Sequence, residues 1–169
     1  METILNSNLL KEKQWHDSKR LLQVREFVVG FYGAAWDAKS VQVAERLGEM
    51  LQTFNRTDST AADAPKPRIE VVYISNDTSE QAWSGFINSQ PRNWSCLAFN
   101  DPRQMQVKQA YGMVSLPHCV VLDKNLKTVV ADATDDILNL SPLMCRNTWV
   151  ERLAEIVHSQ GPRDEEEDD

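Results

Sequence analysis

The chain has 169 residues, of which 41% are hydrophobic, with 18 Lys and Arg against 25 Asp and Glu and a formal net charge of −7. This length and hydrophobic content suffice for one core of ordinary size, and the negative charge excludes a protein that binds nucleic acid through a basic surface. No apolar run reaches the roughly 18 residues of a membrane span, and the N-terminus has no secretory signal pattern, so we expect an intracellular, cytoplasmic protein without membrane contact.

The N-terminal segment gives a weak pattern and the first strand a strong one. Within residues 1–24, NSNLLKEK favours a short strand and WHDSKRLLQ a connecting turn of helix, and we expect an N-terminal extension packed on the domain. The run FVVGFYG, residues 27–33, is continuously apolar and rich in β-branched and aromatic residues. That composition is typical of a strand covered on both faces.

An amphipathic helix and a second strand follow. Apolar residues recur at spacings of three and four up to Phe54, which predicts one buried helical face. The polar stretch NRTDSTAADAPKPR indicates a surface loop, and IEVVYI, residues 69–74, a second buried strand. Thr78 and Gln81 have capping-box spacing at the start of the next predicted helix.

The rest of the chain predicts a short helix, a hairpin and a last helix. Asp101 and Pro102 have the character of an N-cap and a first-turn proline, and Gly112 ends that short helix. The runs LPHCVVLD and LKTVVADA are close enough to form an antiparallel hairpin. Thr148 and Glu151 form a second capping box before the last helix.

This order of elements predicts an α/β fold with a mixed central β-sheet and helices on both faces. One domain of residues 25–160 accounts for all of these elements. The tail GPRDEEEDD, residues 161–169, is too charged to pack, so we expect it to be disordered and solubilising, with an acidic interaction tail as the alternative.

Four stretches in this order resemble the thioredoxin fold, and within it the tryparedoxin and nucleoredoxin branch. They are FVVGFYGAAWDAKS, EVVYISND, NWSCLAF before DP, and YGMVSLPHCVVLD. The resemblance spans roughly Arg25 to Val157. It aligns Trp36 with the active-site tryptophan of that branch, Asp37 and Ser40 with its two redox cysteines, and Pro117 with its cis-proline.

The two aligned redox positions depart from the family pattern. Thiol-disulfide exchange needs a thiolate that attacks and a second thiol that resolves the mixed disulfide, and this family takes both from C-x-x-C. A carboxylate and a hydroxyl cannot form that disulfide. The sequence therefore predicts that the thiol-disulfide oxidoreductase activity is absent.

Asp37 precedes the predicted helix and suits an N-cap, with its carboxylate accepting a hydrogen bond from the amide of Lys39 or Ser40. An anionic feature on a binding surface is compatible with this structural role. For Ser40 we favour a plain replacement of a buried thiol. A serine nucleophile needs a histidine, for which His118 is the candidate. Lys39 is a solvated first-turn residue or a contact for a partner.

Trp36 lies in a turn, which favours an exposed anchor over a core residue. The resemblance implies a cis peptide bond between Leu116 and Pro117, with the backbone of Leu116 offered to an extended peptide. These positions define the candidate partner-binding residues, which are Trp36, Asp37, Lys39, Leu116 and Pro117.

The three cysteines have no C-x-x-C spacing and no pattern of metal ligands, so we expect reduced thiols, no metal and no cofactor. Cys119 lies within an apolar strand, which favours its interpretation as a small buried hydrophobic residue. Cys96 and Cys145 fall in predicted connecting segments, where greater exposure is expected. Any of the three is a candidate for a lone reactive thiol.

Three functional hypotheses follow. The leading one is a redox-inactive, tryparedoxin-like protein that binds another protein through the degenerate active-site surface. The second is a thiol oxidoreductase or redox sensor that uses a lone cysteine. The third is a structural subunit of a larger assembly.

Overall fold

Strand β3, Phe27–Gly33, lies at the centre of the sheet and is buried at every residue. In the computed structural model of the protein, which describes residues 8–11, 14–17, 26–54, 69–89 and 94–159, β3 pairs in parallel with β4, Ile69–Ser75. On its other side it pairs antiparallel with β6, His118–Leu122. The sheet is therefore mixed, as the order of elements predicts.

The described residues form a seven-stranded sheet in the order β2-β1-β5-β4-β3-β6-β7. The remaining strands are β1, Asn8–Lys11, β2, Gln14–Asp17, β5, Trp94–Cys96, and β7, Thr128–Val130. β5 is parallel to β4, whereas β1, β2 and β7 each run antiparallel to the neighbours with which they pair. The predicted hairpin corresponds to β6 and β7.

Within the described residues, five helices cover both faces of the sheet. They are α1, Ala38–Phe54, α2, Glu80–Ser89, α3, Arg103–Ala110, α4, Thr134–Asn139, and α5, Pro142–Ser159. Helices α1, α2, α4 and α5 contribute to the larger core, while α3 contributes Val107 to the core on the opposite face. This two-sided arrangement confirms the predicted α/β fold class.

Alternation along β3 separates the two cores. Phe27, Val29 and Phe31 belong to the larger core, and Val28 and Tyr32 to the smaller one, as the period of two in a strand requires. The rings of Phe27 and Trp149 meet edge to face at 5.8 Å between centroids. The last helix is thereby packed against the central strand.

Three short elements differ from the sequence prediction. Gln14–Asp17 forms a strand where a helical turn is predicted, because it pairs with β1 in the register Leu10↔Trp15. Trp94–Cys96 and Thr134–Asn139 are elements that no sequence pattern predicts. At three to six residues, these elements are too short to establish a period, and Trp94–Cys96 also depends on pairing with β1 and β4, which are distant in sequence.

Two predicted capping boxes are wrong in position. Ser79, not Thr78, caps α2, since its Oγ accepts the N–H of Ala82 at 3.1 Å. Helix α5 begins at Pro142, where the Oγ of Ser141 accepts the N–H of Met144 at 3.3 Å. Thr148 lies inside α5 and donates its hydroxyl to the carbonyl of Met144 at 2.9 Å.

The short helix at Asp101 is confirmed. Its first residue is Arg103, whose N–H is accepted by Asp101 Oδ1 at 2.9 Å, and Gly112 follows the helix with φ +67°. The predicted loop at residues 55–68, the tail at 161–169 and most of the extension at 1–24 lie outside the described residues. Among the residues described, no helix is long and apolar enough to cross a membrane.

Long-range hydrogen bonds from one arginine connect α1 to the end of α4. The guanidinium of Arg46 donates to the carbonyls of Ile137, Leu138 and Leu140 at 3.1 to 3.4 Å. Carbonyls at the end of a helix have no partner within that helix, so the arginine satisfies them. One side chain of α1 thus positions the junction between α4 and α5.

The two candidate caps of α5 make a matched test. Ser141→Ala should lower the free energy of unfolding by about 0.5 to 2 kcal/mol, because it removes the acceptor for an orphan N–H. Thr148→Ala should change it by less than about 0.5 kcal/mol, because alanine is the better helix former there. Chemical denaturation of both variants measures the difference. Equal losses, or a larger loss for Thr148→Ala, would contradict the position of this helix start.

Candidate functional site

The Trp36 turn, residues 34–37, joins the end of β3 to the start of α1. Its backbone closes through the N–H of Asp37 and the carbonyl of Ala34 at 3.2 Å. Trp36 is 61% exposed, and its indole Nε1–H points at the carbonyl of Asn76, 3.4 Å away. The predicted exposure of Trp36 is confirmed.

Asp37 caps α1. Its Oδ2 accepts the N–H of Ser40 at 2.9 Å and the hydroxyl of Ser40 at 2.7 Å. The first helical bond runs from the N–H of Val41 to the carbonyl of Asp37. An anion is favoured at this end by the helix dipole and the unpaired amides. The predicted cap is therefore present, with Ser40 and not Lys39 as the donor.

Ser40 is fully buried, so its hydroxyl is closed to an external substrate. The candidate histidine is engaged elsewhere: His118 Nε2 lies 2.7 Å from the carbonyl of Ala131. A carbonyl can only accept, so Nε2 carries the proton. Among the described contacts, none links Ser40 to His118. The geometry therefore does not support the serine-nucleophile alternative.

The Leu116-Pro117 peptide bond is cis, as the resemblance implies. The register Tyr32↔His118 between β3 and β6 sets this dipeptide beside Gly33 and Ala34, where the Trp36 turn begins. Pro117 is buried and Leu116 is half-buried against the smaller core. Two of the predicted segments are thus brought to one edge of the sheet. Lys39 is exposed in the first turn of α1 beside them.

Val114 is an exposed residue near this edge that the sequence reasoning misses. It is 89% exposed and lies two residues before Leu116. The available signal is an apolar residue outside any periodic element, two residues after a helix-ending glycine.

All three cysteines are buried. Cys119 is fully buried in β6, in agreement with its predicted place in an apolar strand. The expected exposure of Cys96 and Cys145 is wrong, because Cys96 lies in β5 and Cys145 in α5, at 1% and 0% exposure. The Sγ of Cys145 also donates to the carbonyl of Asp136 at 3.2 Å.

Burial also suppresses the reactivity of these thiols. It raises the pKa of Cys96 to about 12 and, with the nearby Asp136, that of Cys145 to about 11. Burial likewise raises the pKa of Cys119 far above its ordinary range. Because the thiolate is the nucleophile, a raised pKa leaves each sulfur unreactive near neutral pH.

Beneath the Trp36 turn lies a buried carboxylate that sequence reasoning does not identify. Asp77, 9% exposed, accepts the N–H of Ala35 at 2.8 Å and the hydroxyls of Tyr73 and Ser75 at 2.7 and 2.5 Å. A polar residue two positions after the end of a buried strand is the one signal that could have found it. Among the described side chains, no group of three or more His, Cys, Asp or Glu is arranged to hold a metal ion.

Comparisons with known proteins agree with this geometry. The thioredoxin-like family profile matches residues 26–128. The mouse nucleoredoxin-like protein 1 is 30% identical over 84 residues, which are 50% of this chain and 38% of that protein. The chain spans less than half the length of the curated relatives it matches.

Solved structures share the fold. A thioredoxin from Wuchereria bancrofti superposes with a TM-score of 0.69 at 17% identity, covering 88% of this chain and 96% of its own. Tryparedoxin I from Crithidia fasciculata superposes with a TM-score of 0.66 at 16% identity, covering 81% and 89%. The chain belongs to the thioredoxin-like family, with its similarities in the tryparedoxin and nucleoredoxin branch.

Proposed function

We propose that this chain is a redox-inactive thioredoxin-like protein that binds another protein through the Trp36 surface, formed by Trp36, Asp37, Lys39 and Leu116 together with the buried Pro117 of the cis peptide bond. The carrying observation is the Asp37-Ser40 hydrogen-bonded pair at the start of α1, beside a tryptophan that is 61% exposed. The family fold and its surface are kept, while oxygen stands where the redox chemistry needs sulfur.

Redox inactivity follows from what thiol exchange requires. Two thiols must approach each other, and one of them must reach the substrate as a thiolate. Here the three cysteines lie buried in three different elements, each with a raised pKa. The same burial disfavours the lone-thiol sensor. Three buried cysteines without C-x-x-C spacing also fit a reducing compartment, so the proposal places the chain in the cytoplasm.

The exposed tryptophan favours binding over a purely architectural role. Most of its large apolar surface faces water, and tryptophan is among the residues that dominate binding energy in interfaces. Beside it, the backbone at Leu116 suits an extended segment of a partner. A short apolar segment of another protein, held by its backbone and anchored on Trp36, is therefore the occupant that we propose.

The reductase assay tests the loss of chemistry. With dithiothreitol as donor, the pure protein should reduce insulin disulfides no faster than dithiothreitol alone, because positions 37 and 40 supply no sulfur. The matched variant is Asp37→Cys combined with Ser40→Cys, which should gain turnover if the scaffold is intact. Turnover by the unaltered chain at the level of a tryparedoxin would refute redox inactivity.

Alkylation tests the buried thiols. At pH 8 iodoacetamide should leave the folded protein unmodified, because thiols whose pKa is raised to about 11 and 12 stay protonated and are also out of reach. The thiolate fraction, and with it the rate, rises only as pH approaches those values. Intact mass spectrometry should show three adducts after unfolding in guanidinium and none before. An adduct on the folded chain would revive the sensor hypothesis.

Peptide selection tests the binding surface. Peptides selected from a random display library on the folded protein should lose affinity by about tenfold or more on Trp36→Ala, since a buried tryptophan anchor contributes that much to an interface. Met105→Ala is the matched control, because Met105 is an equally exposed apolar side chain, 63%, on α3. Equal losses on both variants, or no Trp36-dependent peptide at all, would contradict the proposal.

A further inference from the structure

The position of Trp36 needs a physical cause, because the side chain itself is mostly in water. Only 39% of its surface is covered, and among the described contacts its indole makes one polar interaction, the long one from Nε1 to the carbonyl of Asn76. An exposed side chain held by so few contacts takes its place from the backbone of the turn that carries it. The contacts of that backbone therefore decide where the tryptophan stands.

The backbone of the Trp36 turn is tied to the end of β4. The N–H of Ala35 donates to Asp77 Oδ1 at 2.8 Å, and the N–H of Asn76 donates to the carbonyl of Gly33 at 2.9 Å. The first of these is a bond to a carboxylate, and such bonds are about twice as strong as those between neutral groups. Among the contacts of the described residues, the bond from Asp77 is the one that a side chain makes to the backbone of this turn.

Asp77 is itself fixed by rigid surroundings. Its Oδ2 accepts the hydroxyls of Tyr73 and Ser75, and its own N–H donates to the Oγ of Ser75 at 2.8 Å. The ring of Tyr73 packs against those of Phe31 and Phe86, at centroid distances of 5.6 and 4.9 Å. The carboxylate is thus held by the hydroxyl of a tyrosine whose ring is packed in a buried aromatic cluster.

We infer that Asp77 is a positioning residue of the Trp36 surface, whose buried carboxylate holds the Trp36 turn in the conformation that presents Trp36 to a partner. This inference rests on the proposed binding function. Asp77 is buried, so in this role it does not touch the partner and acts through the N–H of Ala35. Three donors around one carboxylate also explain how it is tolerated with so little exposure, since a buried charge requires such partners.

Hydrogen exchange without any ligand tests the anchoring. In Asp77→Ala, the amide of Ala35 should exchange about tenfold faster or more, the scale of a hydrogen bond to a charged group. The indole N–H resonance of Trp36, identified by its loss in Trp36→Phe, should move. The amides of Val28 and Val29 in β3 report the global stability. If exchange at Ala35 accelerates no more than exchange at Val28 and Val29, the inference is overturned. Asp77 would then stabilise the whole domain and not the Trp36 turn in particular.

Two further variants sharpen the test. Ser75→Ala removes one donor and leaves the bond to Ala35, so the Ala35 rate should stay near that of the unaltered protein. Asp77→Asn keeps the shape of the side chain and removes its charge, so the amide of Ala35 should exchange severalfold faster than in the unaltered protein. This variant provides the test if Asp77→Ala does not fold. An unchanged exchange rate of the Ala35 amide in Asp77→Asn would contradict the role of the Asp77 charge in holding the Trp36 turn.

The peptides that depend on Trp36 then connect anchoring to binding. Their affinity for Asp77→Ala should fall about tenfold, although Asp77 is buried and cannot touch them. Unchanged affinity would overturn the positioning role. A library that yields no Trp36-dependent peptide, together with a faster Ala35 amide, would overturn the proposed function alone and leave the anchoring of the turn in place.

Discussion

The Trp36 surface depends on the pairing of β3 with β4 on one side and β6 on the other. The parallel register Gly33↔Ser75 brings the end of β4 beside the end of β3, so Asn76 and Asp77 reach the Trp36 turn. The antiparallel register Tyr32↔His118 brings the start of β6 to the same edge, and with it Leu116-Pro117. Three segments far apart in sequence thus meet because one buried strand has these two neighbours.

The site at the start of α1 suits an anion whatever its chemical identity. The dipole and the unpaired amides of the first turn favour negative charge, which lowers the pKa of a cysteine at such a position and equally suits a carboxylate. Asp37 uses the same amide environment as a cap, with Ser40 donating twice to one oxygen. A carboxylate paired with a hydroxyl is therefore compatible with the fold at this helix start.

The sequence predicts what local periodicity encodes. Strands β3 and β4 and helix α1 follow from continuous apolar runs and from spacings of three and four, and the exposure of Trp36 follows from its place in a turn. Strand β5 has three residues, too few for a pattern, and misplacing it led to the wrong exposure for Cys96. The Asp77 network joins Ala35 to a residue 42 positions later, a contact that the strand register creates and no local pattern contains.

Close approach between the end of β3 and the start of α1 limits the size of the side chain at position 40. A Cβ at Gly33 would lie 2.7 Å from the ring of Phe31 and 3.2 Å from the Oγ of Ser40, so a side chain there would require Phe31 to shift. Ser40 is fully buried against that contact, where a small polar group fits and a larger one would displace the strand or the helix. Serine keeps the volume small and places a donor on the Asp37 carboxylate, so that no buried hydroxyl is left unpaired. The Asp37-Ser40 pair thus meets this packing constraint with a small buried side chain whose hydroxyl has a partner.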